Sequence, residues 1–295
     1  MIKILSVVLS LVLSLLCLLG CNKNEIGDSD SAITSMQNVA KEQNEKYYTV
    51  STEWMDFYLS KKDFSEADVI DIVNEAVLLM ADVRSYLDLN YTLNEAEDSA
   101  CYFDSTYKNN NGENRSMCFT EEKIIYCISL DSLVHEYVHL ISGNNADLVY
   151  SPSDVLIEGL AEYVSLNFYS EIASQNYIFF KERVVLKSSD LTEDRLICQL
   201  LTENRLEYNA SNYTKAFVAM LCRDYGLSKI NKDADYYKYS VGYVLADYCI
   251  NQYLGLERFI DVYTDSVTFV DVYGKSIDAL VEDACVHNIS LFYKV

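Results

Sequence analysis

The spacing of apolar side chains predicts strands in the first half of the chain and helices in the second. Apolar residues at helical intervals across residues 65–89 predict one long amphipathic helix near the start. Short alternating or β-branched runs predict strands at residues 47–52, 100–103 and 123–128. From residue 130 onward the pattern is helical almost throughout.

This order of elements predicts an α+β fold. We expect a small α/β lobe over about residues 46–143, followed by a mostly helical lobe over about residues 144–295. Half of the chain is hydrophobic, so it can bury a substantial core, and composition argues against disorder.

The first twenty residues have the pattern of an export signal. Lys3 gives it a positive start, and an apolar stretch follows from residue 4 to 19. The stretch ends in Leu-Leu-Gly before Cys21, which resembles the bacterial lipobox. That resemblance implies removal of residues 1–20 and a lipid on Cys21, which would make the chain an exported, membrane-anchored lipoprotein. The alternative is an uncleaved N-terminal membrane anchor, since the stretch is close to spanning length.

The polar residues 21–45 show no periodicity, and we predict that they form a flexible tether.

The charge of the chain excludes one class of partner, because it has 45 acidic residues and 23 basic ones, a net charge of −22. So acidic a surface repels phosphate backbones, and we expect no nucleic-acid partner.

Cys101 and Cys118 flank a polar loop and could form a disulfide. The alternative is that most cysteines are small buried hydrophobic residues.

The chemistry begins at residues 135–139, which read His-Glu-Tyr-Val-His. They lie in a predicted helix that is capped by Asp131 and ends at Gly143. Histidines four residues apart project from one helical face, so His135 and His139 can both reach one Zn²⁺. Glu136 lies beside them, suited to take a proton from the attacking water. The alternative is a helix with two surface histidines.

A second predicted helix offers the third ligand. The metzincin pattern is excluded, because Ser142 and Asn145 stand where it needs glycine and histidine. Downstream, residues 151–154 read Ser-Pro-Ser-Asp and mark a helix start, and the sequence Glu-Gly-Leu-Ala-Glu-Tyr follows from Glu158. Glu158 could complete a His₂Glu set with an open fourth position, while Gly159, without a side chain, would permit a close approach beside this ligand.

Glu162 falls on the same face of this second helix as Glu158. It could orient His135 through a hydrogen bond. An ordinary solvated glutamate is the equal alternative.

Together, the two histidines, the eighteen intervening residues and Glu158 resemble the gluzincin metallopeptidases, in particular the aminopeptidase N family and its peptidase-MA-like relatives. The resemblance implies a zincin-like catalytic domain over residues 46–295, zinc on His135, His139 and Glu158, and Glu136 as general base. The stretch Tyr-Ser-Val-Gly from Tyr239 is similar to the Tyr-x-x-Gly helix of that family. It implies that Tyr239 stabilises the oxyanion, although a core aromatic is the alternative.

One departure from the family narrows the expected activity. Aminopeptidases of this clan anchor the substrate amine with a Gly-x-Met-Glu-Asn strand, which is missing around residues 117–128. We therefore expect zinc-dependent hydrolysis of peptide bonds in peptides or proteins by an endopeptidase. The alternative is a non-catalytic surface lipoprotein that binds a partner with a peptidase-like fold. A metallohydrolase acting on a non-peptide amide is a third possibility.

Overall fold

The computed structural model describes the chain in seven segments. They are residues 41–43, 45–87, 99–143, 154–172, 192–230, 237–263 and 268–293. The predicted signal (residues 1–20), Cys21, most of the predicted tether and the helix start predicted at residues 151–153 lie outside them. No helix in the described segments is long and apolar enough to cross a membrane.

All the described strands lie before residue 128 and form one six-stranded sheet. The strands are β1 (Lys41–Gln43), β2 (Tyr47–Ser51), β3 (Asp56–Ser60), β4 (Ala100–Phe103), β5 (Met117–Phe119) and β6 (Ile124–Cys127). Their order is β1-β2-β3-β4-β6-β5, so β5 lies at an edge. The β3–β4 and β4–β6 pairs are parallel, and the others are antiparallel. Because β1 pairs with β2, the end of the predicted tether belongs to the sheet, and that part of the tether prediction is wrong.

The two faces of the sheet differ in chemistry. Alternate residues such as Phe57, Phe103 and Ile125 are fully buried. On the other face, Tyr58 and Tyr102 stack with ring centroids 4.4 Å apart, and Tyr102 stacks on Tyr126 at 4.8 Å. Cross-strand aromatic pairs of this kind contribute roughly 0.2–1 kcal/mol each, so the tyrosine row reinforces the parallel pairing of the central strands.

Helices make up the rest of the described fold. They are α1 (Val69–Leu87), α2 (Leu133–Gly143), α3 (Asp154–Ile172), α4 (Thr192–Glu203), α5 (Ala210–Tyr225), α6 (Gly242–Asp247), α7 (Leu256–Tyr263), α8 (Phe269–Tyr273) and α9 (Ile277–Phe292). Two π-helical turns, Tyr237–Val241 and Tyr248–Tyr253, flank α6. Among the described helices only α1 lies between strands, and the others follow the sheet, which makes the fold α+β, as predicted. Helix α2 packs against β5, β6 and α1, and on its other side against α3.

The strand register rules out the disulfide expected between Cys101 and Cys118. Both residues are in register with Ile125 of β6, Cys101 from β4 and Cys118 from β5, on opposite sides. Their Cα atoms therefore lie two strand spacings apart, about 9.6 Å. A disulfide requires about 7 Å or less, so this prediction is wrong. All the cysteines in the described segments are free thiols, and most are buried.

Candidate metal centre

Helix α2 presents its two histidines away from the core. A 3₁₀ turn, Leu130–Ser132, precedes it, and Ser129 occupies the cap position of that turn with an extended backbone. The predicted capping by Asp131 is wrong, because the extra turn moves the start of the helical segment two residues towards the N-terminus. The core-facing positions of α2 are fully buried: Leu133, Val134, Tyr137, Val138, Leu140 and Ile141. This burial fixes the opposite face, with His135 and His139, towards α3.

Three side chains converge on one point between α2 and α3. The Nε2 atoms of His135 and His139 are 3.0 Å apart. The Oε2 atom of Glu158 lies 3.2 Å from each of them. The side chains are only 13%, 13% and 16% exposed, so the three atoms form a small, largely desolvated triangle. The group could hold a metal ion.

The size of this triangle suits a tetrahedral ion. A zinc ion with bonds of about 2.0–2.1 Å separates its ligand atoms by about 3.3 Å. The observed separations of 3.0–3.2 Å are slightly shorter, and small rotations of the side chains would make up the difference. Three ligands on one side leave the fourth direction for water or substrate, as in catalytic sites.

Glu162 supports the first of these ligands. Its Oε1 atom lies 3.2 Å from Nδ1 of His135. A proton on Nδ1 donated to this carboxylate leaves the Nε2 lone pair for a metal, the usual arrangement of a carboxylate behind a metal-binding histidine. Burial disfavours a charged imidazole, but hydrogen bonds to Glu158 and Glu162 outweigh it and raise the pKa of His135 to about 10. The carboxylates thus create a site that favours a cation.

Glu136 lies beside the triangle without joining it. It is buried and lines the cleft next to His135. Burial raises the pKa of Glu136 to about 7, against the opposing charges of His135 and Arg115. A carboxyl group that exchanges its proton near neutral pH is suited to general acid–base chemistry.

Tyr239 reaches the same cleft from the π-helical turn before α6. Its ring centroid lies 5.8 Å from that of His135. Its hydroxyl accepts a hydrogen bond from Nη2 of Arg115 at 2.9 Å. The structure thus brings together all the predicted metal-binding and catalytic residues, which are His135, Glu136, His139, Glu158, Glu162 and Tyr239. π-helical turns frequently occur at functional sites.

A contact between two glycines positions this turn. A Cβ atom added to Gly159 of α3 would lie 2.6 Å from the carbonyl oxygen of Gly242. A Cβ atom added to Gly242 would lie 2.6 Å from the carbonyl oxygen of Val155. The two backbones therefore touch. Gly159 therefore permits a close approach beside Glu158, and the neighbour that approaches is α6, the helix that follows Tyr239.

We expect Gly242→Ala to destabilise the fold and to displace Tyr239. The added methyl group meets backbone atoms that cannot rotate away, and overpacking of this kind costs about 1–3 kcal/mol or more. A loss of 1 kcal/mol lowers the Tm of a domain this large by about 2–4 °C. Thermal unfolding measures the effect. Val286→Ala, at a position 61% exposed on α9, is the control and should change the Tm little. Equal Tm values for the two variants would contradict the contact.

The cleft around these groups has a volume of about 440 Å³ and is open to solvent. Serines from several elements line it, together with Leu166, Asp131, Arg115, His135, Glu136, Glu162 and Tyr239. Arg115, just before β5, is the functional-site residue that the sequence did not identify. The one feature that could have identified Arg115 is its position directly before β5, the strand that packs on α2. That position has a meaning only once β5 is known.

No protein-family model, curated protein or solved structure matches the chain.

Proposed function

We propose that the chain is a zinc-dependent peptidase of the gluzincin type with a zincin-like fold. The observation that supports this most is the convergence of His135, His139 and Glu158 at 3.0–3.2 Å, with a buried carboxylate and a tyrosine hydroxyl beside them. Glu136 also argues against the non-catalytic alternative, because metal binding alone gives no reason to bury a carboxyl group next to the ligands.

Zinc is the metal we propose for the site. Two imidazoles and one carboxylate, at tetrahedral separations and with an open position, form the ligand set of many catalytic zinc sites. Magnesium and calcium prefer oxygen ligands in larger number, so a set with two histidines disfavours both.

The chain's own residues would then divide the work of hydrolysis. A zinc ion held by His135, His139 and Glu158 would supply Lewis acidity to water and to the scissile carbonyl. Glu136 accepts the proton of the attacking water and returns it to the leaving amine. Tyr239 donates a hydrogen bond from its hydroxyl to the developing oxyanion. A tyrosine hydroxyl can accept one hydrogen bond and donate another, so the bond accepted from Arg115 is compatible with this role.

Peptide substrates fit the surroundings of the site. The edge strand β5 packs against α2, and an edge strand offers unpaired backbone groups with which an extended peptide can pair. The residues of β5, Met-Cys-Phe, include no acid to anchor a substrate amine. We therefore propose an endopeptidase rather than an aminopeptidase.

A peptide library tests the proposed function. The zinc-loaded protein should cleave a subset of peptides, and a chelator should abolish cleavage until zinc is restored. Mass spectrometry of the products shows where the chain cuts. A protein that holds zinc but cuts nothing in a broad library would favour the non-catalytic alternative.

We expect Tyr239→Phe to retain zinc and to lower kcat more than it raises KM. The hydroxyl contacts the oxyanion only in the transition state, and loss of one such donor typically costs about 10²–10³ in kcat. Tyr225→Phe, at an exposed position on α5, is the control. A Tyr239→Phe enzyme with unchanged kcat would remove this residue from the mechanism.

We also propose that the chain is exported and anchored to a membrane by a lipid on Cys21. The thiol is the acylated atom in the motif that the sequence resembles, so Cys21→Ser should abolish the modification. Metabolic labelling with a fatty-acid analogue checks this, with Cys198→Ser as the matched control. Equal labelling of wild type and Cys21→Ser would refute the proposed anchor.

A further inference from the structure

Arg115 places a positive charge in the candidate metal cleft. It lines the cleft with His135, Glu136 and Tyr239, and among the described residues that do so it is the only arginine or lysine. In the described part of the chain its guanidinium forms no ion pair, and its one hydrogen bond goes to the hydroxyl of Tyr239. An arginine has five N–H donors, so most remain available.

The chain has a large excess of acidic groups that could neutralise a basic side chain. Acidic residues outnumber basic ones by 45 to 23. Several basic side chains are paired in this way, as Lys46 with Asp104, Lys215 with Asp247 and Arg258 with Asp261. A half-buried guanidinium that forms no ion pair within so acidic a chain is available for an anion from outside.

The position of Arg115 is also held in advance. The neighbouring Ser116 hydroxyl donates to Ser132 at 2.7 Å and accepts from the backbone N–H of Ile128 at 3.0 Å. These bonds tie the backbone to the turn before α2. The hydrogen bond to Tyr239 fixes the other end of the side chain. A pre-positioned guanidinium loses little freedom when a ligand binds, and its planar fork matches a carboxylate.

We propose that Arg115 binds a carboxylate of the substrate, so that the cleft selects peptides with a carboxylate close to the scissile bond. Asp131, Glu136 and Glu162 also line the cleft and repel an anion near them, so Arg115 is the position away from the metal ligands that attracts a carboxylate. The carboxylate has two sources, an acidic side chain or a free C-terminus. This inference rests on the proposed peptidase function for its substrate, although its binding chemistry is separate from the hydrolysis.

Paired peptides test the proposal and distinguish the two sources. One series replaces each residue near the cleaved bond by Glu or by Gln, and a second compares a C-terminal acid with its amide. The zinc-loaded wild type should prefer one carboxylate by roughly 10- to 100-fold in kcat/KM, as charge-assisted hydrogen bonds allow. Arg115→Gln should remove that preference by slowing cleavage of the carboxylate peptide far more than that of its uncharged partner, and Arg115→Lys should retain part of it.

Arg258→Gln, a change at a position 58% exposed on α7, is the matched control and should leave the preference intact. A wild type indifferent to the carboxylate would overturn the proposal. So would an Arg115→Gln enzyme that slows on both members of a pair by the same factor, since Arg115 would then act by positioning Tyr239.

A binding measurement separates this proposal from the proposed hydrolysis. Calorimetry compares a short peptide hydroxamate that ends in a free carboxylate with the same hydroxamate ending in a carboxamide, on zinc-loaded protein. Tighter binding of the carboxylate to wild type, lost in Arg115→Gln, supports the site even if no peptide is cleaved. Equal binding of the two probes by wild type overturns the site even if peptides are cleaved.

Discussion

Replacement of Glu158 by alanine should empty the metal site. Its carboxylate oxygen lies 3.2 Å from both histidine nitrogens and provides one of only three protein ligands. We expect about one zinc per wild-type chain and close to none in Glu158→Ala after dialysis. Zinc should also raise the Tm of the wild type and not that of the variant, because only a ligand that binds the folded state stabilises it. Elemental analysis and thermal unfolding measure both effects.

Glu162→Ala is the matched control for this prediction. Glu162 lies on the same helix and touches His135 through Nδ1, on the far side from the triangle. Loss of a carboxylate behind a ligand typically lowers metal affinity by about 10- to 100-fold, so the variant should still fill its site when zinc is in excess. A Glu158→Ala protein with full zinc content beside an empty Glu162→Ala protein would reverse the ligand assignment.

Replacement of Glu136 by glutamine should separate catalysis from metal binding. The change keeps the size and most of the hydrogen-bonding capacity of the side chain and removes the base. General-base loss lowers the rate by about 10²–10⁴, with zinc content and Tm close to those of the wild type. The measurement is kcat/KM on a cleaved peptide, with metal determined on the same samples. Glu257→Gln, exposed on α7, should behave as the wild type.

Two outcomes would contradict this second prediction. Undiminished cleavage by Glu136→Gln would remove Glu136 from the mechanism. Loss of zinc with the same substitution would make Glu136 a ligand, although its side chain lies outside the triangle formed by His135, His139 and Glu158.

The ligand set could be predicted from sequence because it depends on local geometry. Two histidines four residues apart share a helical face in any helix, and the apolar residues around them determine which face is buried. Glu158 was predicted from a motif on a second helix. What brings it to 3.2 Å from the histidines is the packing of α2 on α3, which the structure describes.

Contacts between distant parts of the chain could not be predicted in this way. Nothing local shows that Gly159 touches Gly242, or that Arg115 bonds to Tyr239 across 124 positions of sequence. Strand β3 was not predicted, because its pairing on both sides with β2 and β4 supplies stability that its own pattern does not reveal. The disulfide expected at Cys118 was wrong for the same reason, since register decides which side chains meet.

Zinc-edge X-ray absorption of the wild type tests the metal centre most directly. It reports the atoms bound to the ion, and the seven free thiols of the described segments are the competing ligands. Burial raises the pKa of the Cys118 thiol, near Glu136, well above its usual range, which disfavours it as a ligand. We predict nitrogen and oxygen at about 2.0–2.1 Å, with the multiple scattering of two imidazoles and no sulfur. Sulfur at about 2.3 Å, or a shell without imidazole, would contradict a site made of His135, His139 and Glu158.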